Sequence, residues 1–298
     1  MMLSPLVWSS ALDDFAAALD VDIVNLYQAS SAIGRTRRVA AEVLIKRCCY
    51  REYLNQDFAW KHLNGKELRV PRPVRYIWHE DAMSGDVGYM IMEYIHGRLW
   101  CDENDAACDS AVASAIATMH SIDPRALLPE PKPGPIDGQQ ASWFPWGDKD
   151  CGMQFTSSDH LSDCVNKRLR VHARRKQAKR HKSQTSLSAN PEPLLDFSMD
   201  ALRICHLDLA PRNILICTDG RIALLDWEMM SLYPIVFELA ALSLRQISEG
   251  SPRQNFLLTT LLSSWCSTHE IADDKSQNMD DRIEKLMVVN EVSIAYHF

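Results

Sequence analysis

The sequence predicts an α+β chain, with a small, β-rich amino-terminal part followed by a larger, mainly helical one. Short β-prone apolar runs crowd the residues up to about 92, whereas beyond 93 the apolar residues recur at helical spacing. Strands are expected near Asp22–Tyr27, Val39–Ile45, Val74–Trp78 and Gly88–Met92, with a short leading helix and one helix among them. Helices are expected over Asp105–His120, Ser157–Ala178 and Tyr233–Leu244. Between the first two, the proline-rich stretch Leu128–Pro135 and the aromatic stretch Trp143–Gly147 read as loop, because proline removes a donor and blocks a regular helix. The two parts, 1–92 and 93–298, are expected to form one domain without a linker. No internal repeat is visible.

One β element is expected inside the helical part. Ile214–Cys217 and Ile222–Leu225 are short apolar runs separated by Thr218-Asp219-Gly220-Arg221, the pattern of a hairpin turned on Asp-Gly. A hairpin returns the chain to its starting end, so Asn213 before the first strand and Asp226 after the second land side by side. Asp208 sits on the loop just upstream. The run from His206 to Asn213 reads His-x-Asp-x-x-x-x-Asn. In that pattern Asp208 can accept a hydroxyl proton, while Asn213 and Asp226 supply hard oxygen ligands suited to Mg²⁺. His206 is expected to organise the loop rather than to act as the base.

Composition excludes several classes. A chain of 298 residues with 46% hydrophobic residues can build a large core, so disorder over most of it is excluded. A formal net charge of −7 argues against nucleic acid as the main partner, since phosphate-binding surfaces are normally basic. The nine cysteines are scattered without Cys-x-x-Cys pairs, which argues against a zinc site or a disulfide framework and for a reducing compartment. No signal peptide is evident near the start, and no apolar run approaches the roughly 20 residues that cross a bilayer. The expectation is a soluble, cytoplasmic protein.

His206-Leu207-Asp208-Leu209-Ala210-Pro211-Arg212-Asn213-Ile214-Leu215 resembles the catalytic loop of aminoglycoside phosphotransferase-like and choline kinase-like enzymes, with wording similar to their fungal members. Asp226-Trp227-Glu228 resembles that family's metal-binding segment. Val43-Leu44-Ile45-Lys46 resembles its strand with a phosphate-contacting lysine, and Val70-Pro71-Arg72-Pro73 the entry to the next strand. Tyr89–Gly97 resembles the hinge between two lobes, Ala115–His120 the helix ending that follows, and Tyr233-Pro234 with Phe237-Glu238 the segment after the metal-binding Asp. The resemblance covers most of the chain and implies a two-lobed, protein kinase-like fold. It also implies ATP with Mg²⁺ as cofactors: adenine against the hinge backbone at Glu93 and Ile95, Lys46 on phosphate oxygens, and the metal on Asn213 and Asp226. Asp208 would then deprotonate a hydroxyl of an unidentified small molecule.

The chain departs from that family at three points. The segment before Lys46 offers only Gly34 where kinases use a glycine-rich lid. Gln56 stands near the expected acidic partner of Lys46, which leaves Glu52 and Asp57 as candidates. Met229-Met230-Ser231 replaces small residues and glycine. The first two departures motivate an alternative, a catalytically weak or inactive kinase-like nucleotide-binding module. A further reading rests on the basic run Lys167–Lys182, which could contact an acidic surface or nucleic acid; a solvated helix end is the plainer account.

Overall fold

The computed structural model describes residues 12–29, 34–65, 67–81, 85–100, 106–141, 144–147, 153–181, 194–268 and 273–296. Ser30–Ile33 of the expected lid, Trp143, and the polar stretch 182–193 after the basic run lie outside them. In chain order the elements are α1 (Leu12–Ala16), α2 (Asp20–Ala29), β1 (Thr36–Arg38), β2 (Val43–Cys48), α3 (Tyr50–Leu63), β3 (Leu68–Arg69), β4 (Pro73–Asp81), β5 (Gly85–Glu93) and β6 (Gly97–Leu99). There follow α4 (Ala106–Ser121), β7 (Gly134–Pro135), α5 (Ser158–His181), β8 (Leu202–Cys205), β9 (Ile214–Cys217), β10 (Ile222–Leu224), β11 (Ser231–Pro234), α6 (Ile235–Glu249), α7 (Pro252–Thr268) and α8 (Asp273–Tyr296).

By compactness the chain divides into two units, one made of 1–103 with 212–228 and the other of 104–211 with 229–298. The first unit holds two four-stranded sheets, ordered β1-β2-β5-β4 and β3-β10-β9-β6. The hairpin assigned from sequence to the 93–298 part thus groups with the strands of the first unit. In the first sheet β5 pairs antiparallel with the whole of β2, with Lys46 opposite Met90. Phe15, Ile23, Val24 and Tyr27 from α1 and α2 join Val43, Ile45, Ile77, Tyr89 and Ile91 from that sheet in one buried cluster. The second sheet buries Ile95, Leu215, Cys217 and Ala223 together. Its strands β6 and β9 approach so closely that a Cβ on Gly97 would meet the Ile216 carbonyl oxygen, which explains a glycine there.

The second unit is mainly helical, with a small sheet ordered β7-β11-β8. Helix α6 packs against both α7 and α8, and α5 against α8. Tyr233 stacks on Phe237 with ring centroids 4.5 Å apart, Phe237 meets Phe197 at 5.3 Å, and the Trp146 indole N–H donates to the Tyr233 hydroxyl (3.0 Å). The aromatic loop is therefore anchored as core rather than standing open.

The β-rich and helical parts expected from sequence are both present, as are the hairpin and the three long helices. Two strand expectations are corrected. Asp22–Tyr27 is helix, not strand: Ile23, Val24 and Tyr27 bury one helical face, and Asp20 and Asp22 sit in the first turn where the helix dipole favours them. Of Val39–Ile45, only Val43–Ile45 is strand, the start of β2; residues 39–42 form the turn between β1 and β2, where the Val39 N–H donates to the Val43 carbonyl (3.0 Å). No glycine, proline or asparagine marks that turn.

Candidate active site

In the first unit, three separate elements bring charged groups to one point. Lys46 lies on β2, alternating outward from the buried Ile45, and its ammonium pairs with Glu52 of α3 and with Asp226 (3.0 Å) beyond β10. Of the two acidic candidates, Glu52 makes the pair with Lys46. Asp57 binds Lys61 (2.6 Å) on the same helix, and Gln56 is buried and donates to the Pro71 carbonyl (2.6 Å). Burial opposes the Lys46 ammonium, but the carboxylates of Glu52 and Asp226 together outweigh it and raise its pKa. Glu52 is fully buried, and that burial pushes its carboxyl up to about 7 despite Lys46 beside it.

The hairpin does what its pattern promised. Leu224 pairs with Ile214, and the Leu225 N–H donates to the Asn213 carbonyl (2.8 Å), so Asn213 and Asp226 occupy the same end. Asp226 has a left-handed backbone (φ 65°), a conformation aspartate tolerates better than most residues. The turn behind it is fastened. Trp227 is fully buried and its indole donates to the Leu224 carbonyl (3.0 Å), while the Asn55 amide donates to the carbonyls of Trp227 (3.0 Å) and Glu228 (3.2 Å). Oxygens of Glu52, Asp226 and Glu228 lie within 4.8 Å of one another, and Arg35 pairs with Glu228 (3.2 Å). Sequence reasoning gave no role to Asn55 or Arg35 and named Glu228 only within the metal-binding segment; their contacts reach across many residues.

The hinge segment follows β5. The Glu93 N–H donates to the Arg72 carbonyl (2.9 Å), and its carboxylate pairs with Arg69 and accepts from the Arg72 N–H (3.1 Å). Ile95 is buried in the core of the second sheet, so its side chain is structural as well.

Asp208 belongs to the second unit. It is mostly buried, on a loop after β8 held by Glu238, a fully buried residue of α6. The His206 N–H donates to Glu238 Oε2 (2.6 Å) and the Leu207 N–H to Oε1 (2.9 Å), while His120 Nε2 lies 3.4 Å from Oε2. The Asp208 N–H in turn donates to His206 Nδ1 (3.3 Å). Leu207 is left-handed (φ 62°), an outlier for a bulky residue and a cost of order 1–3 kcal/mol that the two Glu238 bonds offset. Arg245, also on α6, pairs with Asp208 Oδ1 and with Glu249 (3.2 Å). His206 organises the loop, as its sequence position suggested; the twofold Glu238 clamp was legible only as a weak match.

A family model described as the phosphotransferase enzyme family matches residues 51–271, well over half of the sequence. The chain belongs to the phosphotransferase enzyme family. It is an enzyme of the kinase type, and the kinase-like α+β fold class expected from the sequence is that of its family. Among solved structures it is similar to an aminoglycoside-3'-phosphotransferase of type VIII, at 13% identity and TM-score 0.46, covering 90% of this chain and 98% of that one. It is also similar to an aminoglycoside phosphotransferase from Streptomyces rimosus in complex with ADP and streptomycin (11%, TM-score 0.43, 91% and 99%). A choline kinase from Streptococcus pneumoniae is a further similar structure (13%, TM-score 0.37, 89% and 84%). No curated protein matches the sequence.

Among the described residues of this phosphotransferase, no helix is long and apolar enough to cross a membrane. Among the described residues, Cys48, Cys49, Cys108, Cys164, Cys205 and Cys217 form no disulfide. Burial raises the Cys48 and Cys205 thiols, which suits inert core cysteines rather than nucleophiles. The basic run is not a uniform surface. In α5 Lys167, Arg170 and Arg174 are exposed, but Arg168 is buried, donates from Nε to Ser293 Oγ (3.1 Å) and lies over the Trp146 ring (4.8 Å to its centroid).

Proposed function

We propose that this phosphotransferase transfers the γ-phosphoryl group of ATP, with Mg²⁺, to a hydroxyl of a small molecule in the cytoplasm. The observation that supports it most is the convergence of Lys46, Glu52 and Asp226 from three elements, at the hairpin end that also carries Asn213. The donors fit the metal: a carboxylate and a carboxamide are hard oxygen ligands, and Asp226 already accepts a cation in Lys46. Asn213 and Asp226 would hold Mg²⁺, whose charge would neutralise phosphate oxygens. Lys46, kept charged and oriented by Glu52, would bind phosphate oxygens when Asp226 turns to the metal. The Glu93 carbonyl and the Ile95 N–H would receive adenine. Asp208, on its clamped loop, would orient the acceptor hydroxyl and take its proton; such positioning and charge stabilisation supply most of the benefit in phosphoryl transfer.

The test is Mg²⁺-dependent ATP turnover across aminoglycosides, choline-like amines and small hydroxylated metabolites, comparing the natural protein with Asp208→Ala and Asp226→Ala. Acceptor-stimulated turnover that falls at least about 100-fold in both variants supports the reading. ATP binding without turnover favours a catalytically weak nucleotide-binding module, and failure to bind ATP removes the ATP-dependent kinase reading altogether.

A further inference from the structure

Arg245 is a charged group in direct contact with the candidate base. It lies on α6, with 22% of its side chain exposed, and its Nη2 engages Oδ1 of Asp208, itself 11% exposed. The same guanidinium is fixed from behind. Its Nη1 donates to Glu249 Oε1 (3.2 Å) one helical turn on, and Glu249 Oε2 accepts from Nε2 of Gln254 (3.2 Å), a fully buried residue of α7. Three side chains from two packed helices thus form a line that ends on one oxygen of the candidate base. A planar guanidinium bound at both terminal nitrogens has little rotamer freedom left, so it fixes the carboxylate it touches.

We propose that Arg245 is a positioning residue for phosphoryl transfer: backed by Glu249 and Gln254, it sets the orientation of the Asp208 carboxylate toward the acceptor hydroxyl. The inference rests on the functional reading above, in which Asp208 takes the acceptor proton. A base must lie within hydrogen-bond reach of the proton it removes, and a carboxylate free to rotate spends much of its time misdirected. Backbone contacts from Glu238 place the loop; Arg245 acts on the side chain itself. Lysine at 245 would keep the charge and lose the two-ended geometry.

The experiment is turnover of MgATP with the best acceptor of the panel above, or with water where no acceptor exceeds it. It compares the natural protein, Arg245→Met, Arg245→Lys, Asp208→Asn and the double variant Arg245→Met/Asp208→Asn. Arg245→Met should lower kcat at least about 30-fold with the KM for ATP within about 2-fold, and Arg245→Lys, which keeps the charge without the two-ended geometry, should fall between Arg245→Met and the natural protein. In the Asp208→Asn background Arg245→Met should have no further effect, because a residue acting through Asp208 has nothing left to act on. A merely structural arginine would lower turnover equally in both backgrounds, and that result overturns the inference. So does natural turnover, within 3-fold, in Arg245→Met. Asp208→Asn with natural turnover, or a natural protein that turns over no MgATP, would remove the functional reading and this inference with it. Natural turnover in Arg245→Met beside a loss in Asp208→Asn overturns the inference and spares the reading.

Discussion

Two residues in left-handed backbone, Leu207 and Asp226, mark where local preference is overruled. Each flanks or forms a candidate catalytic position, and each is held by side chains far away in sequence, Glu238 for the first and Asn55 for the second turn. Glu238→Gln tests the first. A glutamine offers one carbonyl oxygen where the carboxylate offers two, so one of the His206 and Leu207 amides loses a buried acceptor, at a cost of about 1–3 kcal/mol. Urea unfolding should show that loss, accompanied by reduced turnover from a displaced Asp208. Glu52 makes a pH prediction. Its folded-state pKa of about 7 lies above the ordinary value of 4.5, so the folded protein binds this proton more tightly than the unfolded chain does. The stability it contributes is therefore greatest below about pH 4.5 and falls as the pH rises through about 7. Relative to Glu52→Gln, the natural protein should lose about 1–3 kcal/mol between pH 5 and pH 8. Parallel pH profiles for the two proteins would contradict the buried, proton-holding Glu52.

At the scale of elements, periodicity located α4, α5 and α6 but named neither α7 nor α8, and it misread a short segment near the start. Asp22–Tyr27 is rich in β-branched and aromatic residues, yet packing of Ile23, Val24 and Tyr27 onto the first sheet makes it helix α2. The catalytic-loop motif and its hairpin were legible because Asp-Gly turns and apolar runs act locally. Helix α5 shows what a charge run conceals. Replacing exposed Lys167, Arg170 and Arg174 by glutamine should change stability by no more than about 0.5 kcal/mol. Arg168→Met, which removes the bond to Ser293, whose hydroxyl still donates to the Val289 carbonyl (2.8 Å), and the guanidinium over Trp146, should cost about 1–3 kcal/mol. Thermal unfolding of the two variants side by side checks both, and equal effects would mean that Arg168 is as dispensable as its neighbours.

For the whole molecule, ligand linkage is the most direct consequence of the site. A nucleotide that binds only the folded chain should stabilise it by about 2.7 kcal/mol at 100 times its Kd. Thermal unfolding with MgATP should rise accordingly, and the part of the rise that needs Mg²⁺ should vanish in Asp226→Ala while ATP alone still shifts the midpoint. An unchanged Mg²⁺ effect in that variant would place the metal elsewhere. The sequence by itself determined the fold class, the hairpin that pairs Asn213 with Asp226, and the residue types at the reacting positions, since these depend on local periodicity, turn chemistry and a short motif. Only the tertiary structure decided that Glu52 rather than Asp57 holds Lys46, that Glu238 clamps the loop before Asp208, and that Arg245 meets the Asp208 carboxylate. Those choices, like the meeting of Lys46 with Asp226 across 180 residues, are made by burial of apolar faces that carries no register in the linear sequence.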